Sequence, residues 1–206
     1  MTITRPGKIV CVGRNYRDHA KEMGNDVPKE PLIFLKPSSS IIASGAAIVL
    51  PLQSMQVEHE GEIGVMIGRT LRRASNAEAR KGVSKIIAAN DVTARDLQRS
   101  DSQWTRAKGF DTFCPLGEPG DPPDDLDTLT VVTRVNGVER QRGKGSDMVF
   151  SIPDVLAYVS HIMTLEPGDL VLTGSPAGVG KLSPGDEVEV EVIGVSRVRN
   201  PVTAEA

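Results

Sequence analysis

Apolar positions come in short runs separated by turn residues, and the spacing within each run predicts its element. Residues 8–13, with Ile9-Val10-Cys11-Val12, read as a short buried strand. Residues 15–23 are polar and helix-compatible, and Gly24-Asn25-Asp26 break them. Leu32-Ile33-Phe34-Leu35 reads as a strand ending at Pro37, and Ile48-Val49-Leu50 as another. Residues 56–67 look like one strand. Residues 76–81 predict a helix with Asn76 as N-cap, and Ile86-Ile87-Ala88-Ala89 is a buried run leading into Asn90-Asp91. The Pro, Gly and Asp of 117–127 predict a surface loop. Thr130–Val135 and Val138–Gln141 flank Asn136-Gly137, a strong hairpin signal. Residues 151–165 predict a helix capped by Ser151, with Pro153 in its first turn and an apolar stripe of Val155, Val159, Ile162 and Met163. Leu170–Thr173 is a strand. Val188, Val190 and Val192 alternate with Glu187, Glu189 and Glu191, the pattern of a half-exposed strand.

The 206 residues suffice for a sizeable core, and neither a composition break nor a repeat divides 1–206, so one domain is expected. Aromatics are 3% against 20 Gly and 14 Pro, which favours a strand-rich fold packed with Val, Ile and Leu. The net charge of −3 gives no pull toward nucleic acid or an anionic membrane. No apolar run approaches the roughly 18 residues that span a bilayer, and Met1–Lys8 does not read as a signal peptide. Cys11 and Cys114 are expected to be reduced thiols, and the protein to be cytoplasmic.

Candidate chemistry concentrates in five segments. In Val57–Val65, strand alternation puts Glu58, Glu60 and Glu62 on one face and His59, Ile63 and Val65 on the other. Two carboxylates converging to about 5 Å repel by about 3 kcal/mol at an effective dielectric of 20. A divalent cation reverses that sign; a solvated strand face, like that of Glu187, Glu189 and Glu191, is the alternative. Asp91 ends an apolar run, where it serves either as a further oxygen ligand or as an N-cap. His19 and Glu22 lie three apart on one helical face, the arrangement of an oriented general base or of an incidental surface pair. The Gly, Asn and Pro after them would let the segment move as a lid. Lys108 beside Gly109 is a candidate anion contact or a surface lysine, and Thr173–Gly180 a candidate carboxylate-binding turn.

Together these segments resemble the fumarylacetoacetate hydrolase family. Gly13-Arg14-Asn15-Tyr16 with His19, His59-Glu60-Gly61-Glu62, Asn90–Asp96 with Gln98, Ala107–Asp111 and Thr173–Gly180 follow in family order from about Lys8 to Val202. The compact acylpyruvase or oxaloacetate decarboxylase-like branch fits the length. The resemblance implies a mixed α/β, predominantly β fold with short helices around a β-roll, and a homodimer. It implies a divalent metal, Mg²⁺ before Mn²⁺ or Ca²⁺, on Glu60, Glu62 and Asp91. His19 and Glu22 match the pair that activates water, and Lys108 matches a substrate-facing lysine. Arg14, Tyr16, Gln98, Gly174 and Ser175 are expected to contact a small keto acid. The implied reaction is hydrolytic C–C cleavage of an acylpyruvate, such as fumarylpyruvate or acetylpyruvate, to pyruvate and a carboxylic acid. Oxaloacetate decarboxylation and 2-hydroxyhepta-2,4-diene-1,7-dioate isomerisation are the alternatives within the family. A non-catalytic metal-binding module is the alternative outside it. Glu58 departs from the family pattern, where His or Tyr is common, and is not expected to be a ligand.

Overall fold

A computed structural model describes residues 5–22, 24 and 26–205. The readings that touch Met1–Thr4, Met23 and Asn25 lie outside the described residues. The strands in chain order are β1 Ile9–Gly13, β2 Leu32–Lys36, β3 Ile41–Ala43, β4 Ile48–Leu50, β5 Val57–His59, β6 Gly61–Ile67, β7 Val83–Asn90, β8 Thr93–Ala94, β9 Cys114–Leu116, β10 Thr130–Val135, β11 Val138–Lys144, β12 Leu170–Leu172, β13 Gly180–Lys181, β14 Glu187–Val192 and β15 Ser196–Ala204. The α-helices are α1 Arg17–Glu22, α2 Asn76–Gly82, α3 Arg95–Ser100, α4 Thr105–Lys108 and α5 Ile152–Ile162. The fold is mixed α/β and predominantly β, as the sequence indicates.

A seven-stranded sheet runs β2-β1-β12-β6-β7-β9-β3, a five-stranded sheet runs β11-β10-β14-β15-β4, and a small sheet runs β13-β5-β8. The two large sheets share a core in which Ile63, Val65 and Ile86 meet Val131, Val190 and Val198. Burying such β-branched side chains contributes about 1.5–3 kcal/mol each before conformational entropy is subtracted. Cys11 and Cys114 lie in a separate apolar cluster with Ile9, Ile87, Leu170 and Leu172, and both thiols are free. Among the described residues no helix is long and apolar enough to cross a membrane.

Local chemistry explains where the elements begin and end. Asn136 and Gly137 both take positive φ, 52° and 77°, so the β10–β11 turn twists with its strands. The helix cap at 75–76 differs from expectation: Ser75, not Asn76, caps α2, because Ser75 and Glu78 form a reciprocal capping box. Ser151 caps α5 as read, but the helix ends at Ile162, since Leu165 turns away to exchange backbone hydrogen bonds with Leu71. Ile162 is therefore exposed, and the buried stripe is Ile152, Val155, Leu156 and Val159. The predicted helix over 15–23 shortens to α1, because Asn15 is tied elsewhere. Its Nδ2 donates to the carbonyls of Phe150 and Thr173, and its Oδ1 accepts from Phe150 N.

Candidate active site and metal centre

The run over 56–67 is two strands. β5 pairs with β13 and β8 in the small sheet, β6 enters the seven-stranded sheet, and Glu60 is the break between them. Register then dictates the acidic site. Gly61 pairs with Asn90 and Glu62 with Ala89, so Asp91, one residue past β7, comes beside Glu60. The backbone N–H of Asp91 donates to Glu60 O (2.8 Å), and that of Glu60 to Asn90 Oδ1 (2.9 Å). Gly61 allows the close approach: a Cβ there would lie 1.9 Å from Thr133 Oγ1 on the facing sheet.

Glu60, Glu62 and Asp91 are 5%, 2% and 1% exposed, so the solvated-face alternative does not describe them. The row at Glu187, Glu189 and Glu191 is half-buried and paired with Arg134, Arg197 and Arg199. Asp91 does not cap a helix: its Oδ1 accepts from Lys36 Nζ (2.7 Å) and its Oδ2 from Lys108 Nζ (2.5 Å). Lys108 also donates to Glu60 Oε2 (2.6 Å) and lies 4.9 Å from the Phe34 ring centroid, buried rather than on the surface. Arg95 donates through Nε to Glu58 Oε2 (2.8 Å), through NH2 to Glu60 Oε1 (2.6 Å) and through NH1 to Gln98 Oε1 (2.6 Å).

Burial disfavours the charge on every group here, and the partners decide the outcome. For Glu60, burial raises the pKa, but the charges of Lys108 and Arg95 outweigh it and hold the carboxyl far below its usual range. Glu62 goes the other way: burial and the neighbouring Asp91 and Glu60 push it well up. Its bonded partner is the backbone N–H of Gly174 (2.7 Å), with no cationic side chain among the described residues. For Lys108, burial lowers the pKa, and Asp91 and Glu60 more than restore it.

One cavity of ≈ 250 Å³ collects Arg14, His19, Glu60, Glu62, Asp91, Gln98, Lys108 and Ser175 among its lining residues. Phe34 and Trp104, edge to face at 5.3 Å, form an apolar part of its wall. His19 Nδ1 lies 3.1 Å from Glu22 Oε2, and its Nε2 lies 4.0 Å from Glu60 Oε1, so the ring stands between α1 and the acidic cluster. Glu22 also accepts from the backbone N–H of Gly178 (3.1 and 3.2 Å), which latches α1 to the 173–180 turn. The structure does not bring two of the expected substrate contacts to this wall. Tyr16 is buried in the main core beside Gly143, where its hydroxyl has no hydrogen-bond partner among the described residues. Gly174 positions Glu62 instead. Lys36, Arg95 and Glu58 were not read as site residues. Arg95 stands in the quoted motif without a role, and nothing near Lys36 marks it.

The residues fit a divalent metal. Glu60, Glu62 and Asp91 each offer an oxygen, and those atoms lie within 4.8 Å of one another. The all-oxygen donor set suits a hard cation, and Glu62 lacks the positive partner its burial calls for.

The profile for the fumarylacetoacetate (FAA) hydrolase C-terminal region matches residues 8–203. The mitochondrial oxaloacetate decarboxylase of Dictyostelium discoideum is 43% identical over 195 residues, 91% of this chain and 89% of that protein. The 2-hydroxyhepta-2,4-diene-1,7-dioate isomerase of Mycobacterium marinum is 40% identical with a TM-score of 0.90, covering 98% of this chain and 76% of that one. Fumarylpyruvate hydrolase of Pseudomonas aeruginosa, solved with Mn²⁺ and pyruvate, is 28% identical with a TM-score of 0.90, covering 97% and 91%. This chain belongs to the fumarylacetoacetate hydrolase family.

Proposed function

We propose that this enzyme acts at the carbon between the two carbonyls of a short 2-oxo diacid, with oxaloacetate as substrate: in tautomerisation that carbon gives up a proton and the 2-oxo oxygen takes one, and in decarboxylation it loses CO₂ and then takes up a proton. Acid–base chemistry on a keto acid rests on the His19–Glu22 pair, whose Nε2 faces the acidic cluster from across the cavity, and the choice of oxaloacetate rests on the 43% identity to an oxaloacetate decarboxylase. A divalent cation on Glu60, Glu62 and Asp91, Mg²⁺ by preference, would supply Lewis acidity at the substrate's carboxylate and 2-oxo oxygens.

The chain's own groups do the rest. In tautomerisation His19, with its proton on Nδ1 and donated to Glu22, accepts the carbon's proton at Nε2 and returns it to the 2-oxo oxygen; in decarboxylation CO₂ leaves without a base, and a protonated Nε2 gives the carbon its proton. Glu22 fixes the ring and balances the imidazolium that forms. Lys108 sets positive charge on the side where the 2-oxo oxygen gains negative charge. Because Gln98 Oε1 is held by Arg95, its amide N–H₂ is left to donate into the cavity. Phe34 and Trp104 exclude water from one side.

Hydrolytic cleavage of an acylpyruvate is the second reading. There His19 takes its proton from water, the hydroxide attacks the distal carbonyl, and the C–C bond breaks to give pyruvate and a carboxylic acid. The fumarylpyruvate hydrolase likeness supports it. The His19–Glu22 pair serves either reaction and does not rank them. Identity supports the first: 43% and 40% to proteins named for decarboxylation and isomerisation, against 28% to the hydrolase.

The test follows enol–keto conversion and pyruvate release with oxaloacetate, fumarylpyruvate and acetylpyruvate, each with Mg²⁺, Mn²⁺ or chelator. Metal-dependent turnover of oxaloacetate, lost about 10²–10⁴-fold in His19→Ala, is the expected result. Cleavage of acylpyruvates without any effect on oxaloacetate would replace the first reading by the second. If no keto acid reacts and chelator only lowers the melting temperature, the chain is a metal-binding module without catalysis.

A further inference from the structure

Glu58 has no part in the chemistry above, yet it is 7% exposed, and both its oxygens are used. Its Oε1 accepts from Gln56 Nε2 (2.6 Å) and its Oε2 from Arg95 Nε (2.8 Å). The strand holds it in place: Glu58 pairs with Thr93 on one side and Lys181 on the other. Gln56 is itself engaged, its Oε1 accepting from Arg99 NH1 (3.1 Å) and its backbone carbonyl from the N–H of Arg95 (2.7 Å). Arg95 thus spends its three nitrogens on three acceptors: Glu58, Gln98 and Glu60.

We propose that Glu58 is a positioning residue of the metal centre: by taking the Nε–H of Arg95 it shares that guanidinium between two carboxylates and leaves Glu60 enough negative charge to hold a divalent cation. Without Glu58, the whole charge of Arg95 would fall on Glu60, whose other oxygen already accepts from Lys108. The donor set would keep its shape and lose its pull. Glu58 also fixes the guanidinium plane, and through NH1 the orientation of the Gln98 amide. This inference rests on the metal reading of Glu60, Glu62 and Asp91 but not on which keto acid reacts.

The test titrates Mn²⁺ into the full-length protein by calorimetry and by its effect on the melting temperature. Glu58→Gln keeps the size and removes the charge; its one amide oxygen still accepts from Arg95 Nε, and the contact with Gln56 Nε2 is lost. It should weaken Mn²⁺ binding about tenfold, and the Mn²⁺ concentration for half-maximal activity should rise in step while kcat at saturating Mn²⁺ stays within about twofold. Glu58→Asp keeps the charge and should stay within about threefold of the unaltered protein. A purely structural role predicts a lower melting temperature with the Mn²⁺ Kd unchanged, and that result overturns the proposal. So does a tenfold loss in Glu58→Asp with none in Glu58→Gln. If Glu58→Gln loses its cooperative melt, Glu58→Asn is compared with Glu58→Asp: a Mn²⁺ Kd about tenfold weaker in Glu58→Asn supports the proposal, and equal values overturn it. Failure of the unaltered protein to bind Mn²⁺ would remove the metal centre and the role of Glu58 with it. Failure to turn over oxaloacetate while Mn²⁺ still binds would touch only the proposed reaction.

Discussion

Lys36→Met tests whether the buried charge network is as tightly coupled as its geometry implies. The Lys36 ammonium is fully buried and donates to Asp91 Oδ1 (2.7 Å), to the carbonyl of Lys108 (2.6 Å) and to that of Val92 (3.3 Å). At 2.7 Å the ion pair is worth about 6 kcal/mol of attraction at an effective dielectric of 20. Much of that offsets the cost of bringing both charges out of water. Removing one partner alone leaves Asp91 under-compensated, which costs about 3–5 kcal/mol. The carbonyls of Lys108 and Val92 also lose a charged donor. For a chain of 206 residues, about 2–4 °C of melting temperature per kcal/mol gives a fall of roughly 6–20 °C.

Thermal melts of Lys36→Met, Asp91→Asn and the double variant, in chelator, measure the coupling directly. The double variant should be clearly more stable than the sum of the two single losses predicts, because the second substitution removes the charge that the first left under-compensated. Added Mn²⁺ should recover part of the loss in Lys36→Met and none in the double variant, which lacks the Asp91 carboxylate. A Lys36→Met protein that melts within about 2 °C of the unaltered one, or a cycle that closes additively, would refute the reasoning.

Gly61→Ala should cost at least the roughly 1–3 kcal/mol of ordinary overpacking, because its Cβ would stand 1.9 Å from Thr133 Oγ1. Adding Thr133→Ala should restore part of the melting temperature, and no recovery would show that the clash is not with Thr133. For Asp96, burial raises the carboxyl pKa, but hydrogen bonds from Ser54 Oγ and the N–H groups of Met55 and Leu97 outweigh it and hold it below its ordinary value. A depressed folded-state pKa stabilises above the ordinary carboxylate range and loses that contribution as pH falls through the folded value. The stability difference between the unaltered protein and Asp96→Asn should therefore shrink on acidification, and a pH-independent difference would contradict it. Burial pushes the Cys114 thiol up to about 12 and raises Cys11 as well, so neither should react with maleimide near pH 8 until denaturant is added. Labelling of the folded protein at the rate of the unfolded one would refute this.

What the chain disclosed in advance follows the range of the physics involved. The hairpin at Asn136-Gly137 was legible because its cause is local: two residues that tolerate positive φ. The cap at Ser75 is equally local, but residue type alone points to Asn76, whereas the pair Ser75 and Glu78 satisfies two backbone groups at once. The break at Glu60 was hidden because Val57–Val65 alternates without interruption. Only the clash that any side chain at 61 would meet with Thr133, distant in sequence, marks where the strand must leave one sheet for another. Motif order singled out Glu60, Glu62 and Asp91, and the β6–β7 register puts them together. Lys36 had no signal: its partner is 55 residues away, and a lysine at a strand end is ordinarily solvated.

The same distance dependence explains why the acidic row at 58–62 could not be separated from the one at 187–191 by pattern. Both alternate with smaller or apolar residues, and both are paired with cations. They differ in surplus. The inner group sets four buried carboxylates, Glu58, Glu60, Glu62 and Asp91, against three buried cations, Lys36, Arg95 and Lys108. One negative charge is left over, and it falls on Glu62, the member with no cationic neighbour bonded to it among the described residues. Without an added cation the cluster relieves that surplus by favouring the protonated form of Glu62. A divalent cation turns the surplus into one positive charge, which a single carboxylate of an incoming acid then cancels. With Glu62 ionised, the cluster is thus balanced only when cation and anion are both present. That is the electrostatic condition a site for metal-assisted keto-acid chemistry has to meet, and an outer row already paired with Arg134, Arg197 and Arg199 does not meet it.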